Sequence, residues 1–106
     1  MLNLEPLIDI VGNDQHTLNS LIATFLSTTK EDIRNLESAV NNRQSTIIRD
    51  MAHRIKGGAS VIGAEGLASL ANRMETIGLN REQKEYDTTF HALKTQFRAI
   101  EAEYYP

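Results

Sequence analysis

Cysteine is absent from this 106-residue chain, which excludes a disulfide framework and any thiolate metal site. Its absence fits the cytosol. Proline is nearly absent too, occurring only at Pro6 and Pro106. The stretch between has few β-branched clusters and no lasting alternation of polar and apolar residues, so it reads as long helices and not as strands. No apolar run approaches the length of a membrane span, and no basic region followed by an apolar core opens the chain, so direct membrane insertion is not expected. A net charge of −3 with a pI near 5.5 argues against general affinity for nucleic acid. What is present is ordinary for a globular protein: 41% apolar and 24% charged residues predict a folded chain of the size of one small domain, spanning 1–106. It could stand alone or be one domain of a larger, even membrane-bound, protein.

Five helical segments follow from the spacing. Leu4 to Val11 reads as a short helix, with Asn3 as its cap, Pro6 in the first turn and Gly12 as a stop. Asp14 caps a long helix over about 14–41, whose stripe is Leu18, Leu21, Ile22, Phe25, Leu26, Ile33, Leu36 and Val40. After Asn41-Asn42, Ser45 caps a third helix over about 45–62, burying Ile48, Met51, Ala52, Ile55, Ala59 and Ile62, with Gly63 as terminator. A fourth spans about 65–77, with Leu67, Leu70, Ala71 and Met74 inward and Gly78 and Asn80 in the turn. The last, about 83–104, carries Tyr86, Phe90, Leu93, Phe97, Ile100 and Tyr104. The closing Tyr104-Tyr105 pair reads as helix-end packing. Amphipathic helices with short loops imply an all-α, antiparallel four-helix bundle with a short additional N-terminal helix.

The third helix carries the unusual chemistry. Gly57 and Gly58 lie inside it, each costing about 1 kcal/mol relative to Ala. For Gly58, at the edge of the apolar stripe, close packing is reason enough. Gly57 lies off that stripe, with Arg49, His53, Lys56 and Ser60, on a second, polar one. There an imidazole stands one turn before a glycine, with a lysine beside both. The missing side chain clears space before the ring, and Lys56 brings positive charge to it. That suits a nucleophilic His meeting a phosphoryl group, although a surface His beside a Lys is also an ordinary occurrence.

The stretch Ala52-His53-Arg54-Ile55-Lys56-Gly57-Gly58, continuing to Gly63-Ala64, resembles the signature of histidine-containing phosphotransfer (HPt) domains: Ala-His-x-apolar-Lys-Gly, a small residue, then Gly-Ala. The likeness extends over roughly 15–78, through Leu21-Ile22, Phe25-Leu26, Ile33, Leu36 and Ala39 before it and Leu67, Leu70, Ala71 and Met74-Glu75 after it. The final helix fits in length and pattern only. Within the family the nearest kind is the C-terminal HPt domain of a hybrid sensor histidine kinase of the EvgS or BvgS type. The resemblance implies that His53 accepts a phosphoryl group from a receiver-domain aspartate and passes it to a response-regulator aspartate. Lys56 would give electrostatic support and Gly57 steric clearance. The one departure is the lack of an acidic residue near Ser45-Thr46, which touches capping alone.

A neutral imidazole has one free ring nitrogen that can attack phosphorus. The chain offers no phosphate-cradling glycine loop and no carboxylate cluster for Mg²⁺. Neither ATP binding nor unaided catalysis is therefore expected, though a parent chain could be a sensor kinase. By the resemblance, the receiver domain brings the acidic pocket, the acceptor Asp and the Mg²⁺. Arg49, Arg54 and Ser60 are expected to meet that partner, the arginines by complementing its acidic pocket. His16 and His91 fall on other helices and read as surface or boundary residues, with no metal-site spacing. The isolated chain is expected to be monomeric and cytoplasmic, within reach of an inner-membrane parent. The alternatives are a helical interaction module without phosphotransfer and a fragment of an autonomous kinase; the missing nucleotide domain argues against the latter.

Overall fold

The computed structural model describes residues 2–104, so Met1, Tyr105 and Pro106, and with them half of the Tyr104-Tyr105 pair, lie outside the described residues. The elements are α1 (Glu5–Val11), α2 (Gln15–Asn41), α3 (Ser45–Val61), α4 (Glu65–Leu79), a 3₁₀ turn (Gln83–Glu85) and α5 (Tyr86–Tyr104). Among the described residues there is no strand. The four long helices form an antiparallel bundle, α3 packing most extensively on α4 and then on α2. Their predicted stripes meet in one core that includes Leu36, Ile48, Ile55, Leu67, Met74, Tyr86 and Leu93, all fully enclosed.

Local chemistry explains the boundaries. Asp14 caps α2, accepting from the backbone N–H of Thr17 at 3.1 Å and from its hydroxyl at 2.6 Å. Ser45 is not the cap of α3. Gln44 holds that position without a side-chain bond, while Ser45 is buried in the first turn. There its hydroxyl lies 2.7 Å from the Tyr86 hydroxyl. The reason is burial: an enclosed phenol needs a polar partner, and Ser45 is placed to be one. Similarly, Leu4 rather than Asn3 is the residue before α1, although the Asn3 side chain accepts from Glu5 N–H at 3.3 Å.

Gly78 does not sit in the turn after α4. It lies inside α4, which runs two residues past its expected end, and it is buried. A β-carbon there would sit 3.0 Å from both the Arg49 backbone nitrogen and Ile48 Cγ2, so this glycine lets α4 lie close against the start of α3. Arg81, at φ +55°, turns the chain instead. Leu21 is also more exposed than its stripe position suggested, and Met51, Leu70 and Tyr104 are only partly buried.

Gly63 does terminate α3, at φ +74°. Its carbonyl accepts from Asn3 N–H at 3.0 Å, and a β-carbon would collide with the Asn3 backbone. Two physical costs thus coincide, the left-handed backbone and the lost seat of the N-terminal segment. Gly63→Ala is expected to destabilise the chain by about 1–2 kcal/mol, read as a lower urea midpoint and as earlier amide exchange in α1.

Candidate functional site

The enclosed face of α3 is Ile48, Ala52, Ile55 and Ala59, which fixes its opposite face outward. His53 stands on that outward face at mid-helix, its side chain 68% exposed. The ring is not free. Nδ1 lies 3.0 Å from Oε2 of Glu75, on α4. The other oxygen of the same carboxylate, Oε1, lies 2.6 Å from Nζ of Lys56. That contact is an ion pair, and it encloses Oε1. Glu75 thus bridges the two functional candidates of α3. The Lys56 ammonium, before any other cause, holds its carboxyl below the usual glutamate range; burial opposes this and His53 adds to it.

A carboxylate only accepts. A neutral ring with Nδ1 against Glu75 therefore carries its proton there, donates it to Oε2, and leaves its lone pair on Nε2. The arrangement can present one defined nitrogen as a nucleophile. Space in front of it is clear: a β-carbon at Gly57 would meet nothing within 4 Å, whereas one at Gly58 would touch the Phe25 ring at 3.7 Å. The two adjacent glycines thus separate as their positions on the helix predicted, one facing open space and one facing a neighbouring helix.

The remaining candidates are less free than their sequence suggests. Arg54 Nε sits 3.2 Å from Asp32, a buried acid on α2. Arg49 pairs with Asp50 at 3.2 Å. The Ser60 hydroxyl donates to the Lys56 carbonyl at 2.8 Å, within the helix. Arg49, Arg54 and Lys56 each have a carboxylate beside them within the chain. His16 and His91 are exposed on α2 and α5 and do not join His53.

On the α2 side of α3, along Arg54, Gly58 and Val61 and away from the Glu75 side that holds the imidazole, lies a groove of about 270 Å³. Leu7, Leu21, Phe25, Gly58, Val61 and Ile62 give it an apolar lining, with Asp32 and Arg54 at its edge. Val61 is 65% exposed. Sequence reasoning missed both the groove and Glu75. The structure sets the register that places Glu75: Gly78 lies against Arg49, and one turn from each, in antiparallel helices, brings Glu75 opposite His53.

An exposed imidazole held through Nδ1, with a lysine and an empty position one turn away, is the geometry expected of the family that the motif resembles. The Hpt domain family matches residues 20–103. The chain belongs to this family. Its function is accordingly histidine phosphotransfer in two-component signalling. Virulence sensor protein BvgS of Bordetella bronchiseptica is 26% identical over 101 residues, covering 93% of this chain and 8% of that protein. The pre-mRNA-processing ATP-dependent RNA helicase PRP5 of Lodderomyces elongisporus is 31% identical over 91 residues, covering 86% of this chain and again 8% of the relative. The chain thus spans about one-twelfth of these curated relatives, and neither whole protein's activity transfers by likeness. The crystal structure of histidine-containing phosphotransfer protein B (HptB) from Pseudomonas aeruginosa PAO1 superposes with a TM-score of 0.79 at 22% identity, covering 86% of this Hpt domain and 89% of HptB. At that identity the superposition supports the fold: an all-α Hpt bundle.

Proposed function

We propose that His53 is the residue through which this Hpt domain passes the phosphoryl group. Nε2 attacks the phosphorus of a receiver-domain aspartyl phosphate; the Nε2–P bond forms, the P–O bond to the aspartate breaks, and a second receiver reverses the step. The observation that carries this reading is the exposed His53 ring, its Nδ1 occupied by Glu75 and the position at Gly57 open beside it. Aspartyl-phosphate chemistry requires Mg²⁺ on the receiver, and this domain contributes the imidazole with no cofactor of its own. Among the described residues no helix is long and apolar enough to cross a membrane, and no cluster of three metal-ligating side chains occurs.

The receiver docks, in this reading, over the exposed face of α3 that bears His53 and reaches the apolar α2–α3 groove through Arg54 and Gly58. Because Arg49 and Arg54 already have acidic partners, their charges steer encounter less than bare cations would, and apolar contact at Leu21 and Val61 gains in weight. Arg49, Arg54 and Ser60 remain candidate docking contacts at the rim. In this reading the domain sits at the cytoplasmic C-terminus of a membrane-bound hybrid sensor kinase and is monomeric in isolation; the likeness to the virulence sensor protein BvgS is consistent with a sensor as the parent.

Lys56 acts through charge and not as nucleophile. Its side chain is about one-third exposed and already shares Glu75. Lys56→Ala is therefore expected to slow transfer about tenfold or less, the equivalent of roughly 1 kcal/mol, without abolishing it. Single-turnover transfer to a panel of receivers measures this and tests the function together. A loss of several further orders of magnitude would assign Lys56 a direct part in the reaction.

A further inference from the structure

The acceptor of the Nδ1 proton is a carboxylate, and its charge matters most after the phosphoryl group has arrived. A neutral ring that attacks through Nε2 still bears its proton on Nδ1. The balance is simple: a neutral imidazole and a doubly charged aspartyl phosphate become a free carboxylate and a phosphorylated imidazolium, with the total charge unchanged. The imidazolium then has two fates. If it keeps the proton, the next aspartate displaces a neutral imidazole, an easy leaving group. If it loses the proton, displacement must expel an anionic imidazolate, which is far more basic and leaves poorly.

We propose that Glu75 is a positioning residue whose carboxylate keeps the Nδ1 proton on phosphorylated His53, so that the phosphoryl group stays transferable at neutral and mildly alkaline pH. The inference rests on His53 being the acceptor and goes beyond it. Oε2 lies 3.0 Å from Nδ1, within direct hydrogen-bond reach. The Glu75 side chain is only 22% exposed, so water screens its attraction for the ring proton less than at an open surface. Lys56 on the second oxygen keeps the group ionised at neutral pH and fixes its orientation. A negative group that close favours the charged ring, as the buried acid of a catalytic triad favours its imidazolium.

The other charges around the ring are paired among themselves. On α3, Arg49 pairs with Asp50, and Arg54 pairs with Asp32 of α2. Lys56 is the remaining cation on α3, and its charge acts against the imidazolium. Its place on Glu75 Oε1 moderates the effect of Glu75 without reversing it, because the carboxylate alone touches the ring proton.

The test uses Glu75→Gln and Glu75→Ala beside the parent chain. A glutamine carbonyl can still accept from Nδ1–H with its NH₂ in place of the oxygen paired with Lys56, so the first variant keeps the bond to the ring and loses the charge and the ion pair; the second loses all three. Each chain is loaded from a phosphorylated receiver, repurified, and mixed with fresh receiver across pH 6 to 9, the same receiver serving all three. The ring proton of the loaded chains is followed by ¹⁵N NMR over the same range. The expected result is that Glu75→Gln transfers at the parent rate near the acidic end and declines at a pH about one unit lower, with loss of the Nδ1 proton moving by the same amount. Glu75→Ala should show that shift and a lower rate throughout. Coincident pH profiles and proton signals for the parent and Glu75→Gln would overturn the inference while leaving His53 as the acceptor. If the parent chain takes up no phosphoryl group, the acceptor reading itself falls. Circular-dichroism melts of the two variants separate a folding defect from either outcome, and a variant that is unfolded leaves the NMR comparison to the other.

Discussion

Replacing His53 with glutamine abolishes phosphoryl uptake from a phosphorylated receiver and leaves helicity and melting nearly unchanged. The first half follows from chemistry. Glutamine has no nitrogen lone pair of comparable nucleophilicity, so no phosphorus–nitrogen bond forms. The second half follows from position. The side chain is 68% exposed and its polar contact among the described residues is with Glu75, an interaction worth at most about 1 kcal/mol at this exposure. The enclosed face of α3, from Ile48 to Ala59, is untouched. Acid-labile phosphate on the chain and a thermal melt, measured on the same sample, report both halves. A variant that still acquires acid-labile phosphate would move the acceptor to another residue.

Gly57 gives the second large effect, and it separates function from fold. Gly57→Ala should leave the bundle as stable or raise its stability by up to about 1 kcal/mol, since alanine is favoured over glycine within a helix and its β-carbon would meet nothing within 4 Å. Gly57→Leu should also fold, because the leucine side chain projects into open space. It would then stand one turn beyond His53, where the incoming aspartyl phosphate must pass. Displacing reacting groups by about 1 Å is enough to cost on the order of a hundredfold, and a leucine side chain displaces them further. Transfer should fall by that factor or more with no comparable fall in melting temperature. If lost transfer instead tracks lost structure, the glycine serves packing and the clearance reading is wrong. Gly58 is the internal control, since a β-carbon there makes ordinary contact with the Phe25 ring at 3.7 Å and a leucine would press on that ring.

Periodicity made the bundle legible. The stripe of α2 and its Asp14 cap define the helix that is found, and the face of α3 bearing His53, Lys56 and Gly57 follows from about 100° of rotation per residue. These are properties of one helix at a time. Relations between helices were less legible. Ser45 has the composition of a cap, but its hydroxyl serves Tyr86 across the core, a partner far away in sequence. Gly78 reads as a turn because a turn and a close helix approach both call for a missing side chain. Only its contact with Ile48 and Arg49 distinguishes them. The same limit hid Glu75, whose part depends on the register of α4 against α3, and hid the carboxylates that accompany Arg54 and Lys56. Leu21, at one edge of its stripe, lines a groove instead of the core, because the stripe of α2 is wider than the surface that covers it.

One measurement reaches the central claim most directly: where a labelled phosphoryl group resides when it leaves one receiver, and whether it moves on. The chain is incubated with a receiver domain carrying labelled aspartyl phosphate and Mg²⁺, digested under alkaline conditions that preserve phosphohistidine, and mapped. A parallel sample is chased with a second, unlabelled receiver. The predicted result is label on the peptide containing His53, bonded at Nε2, and its passage to the second receiver in the chase. Label on His16 or His91, or no label on the chain under conditions where the receiver is fully charged, would contradict the account.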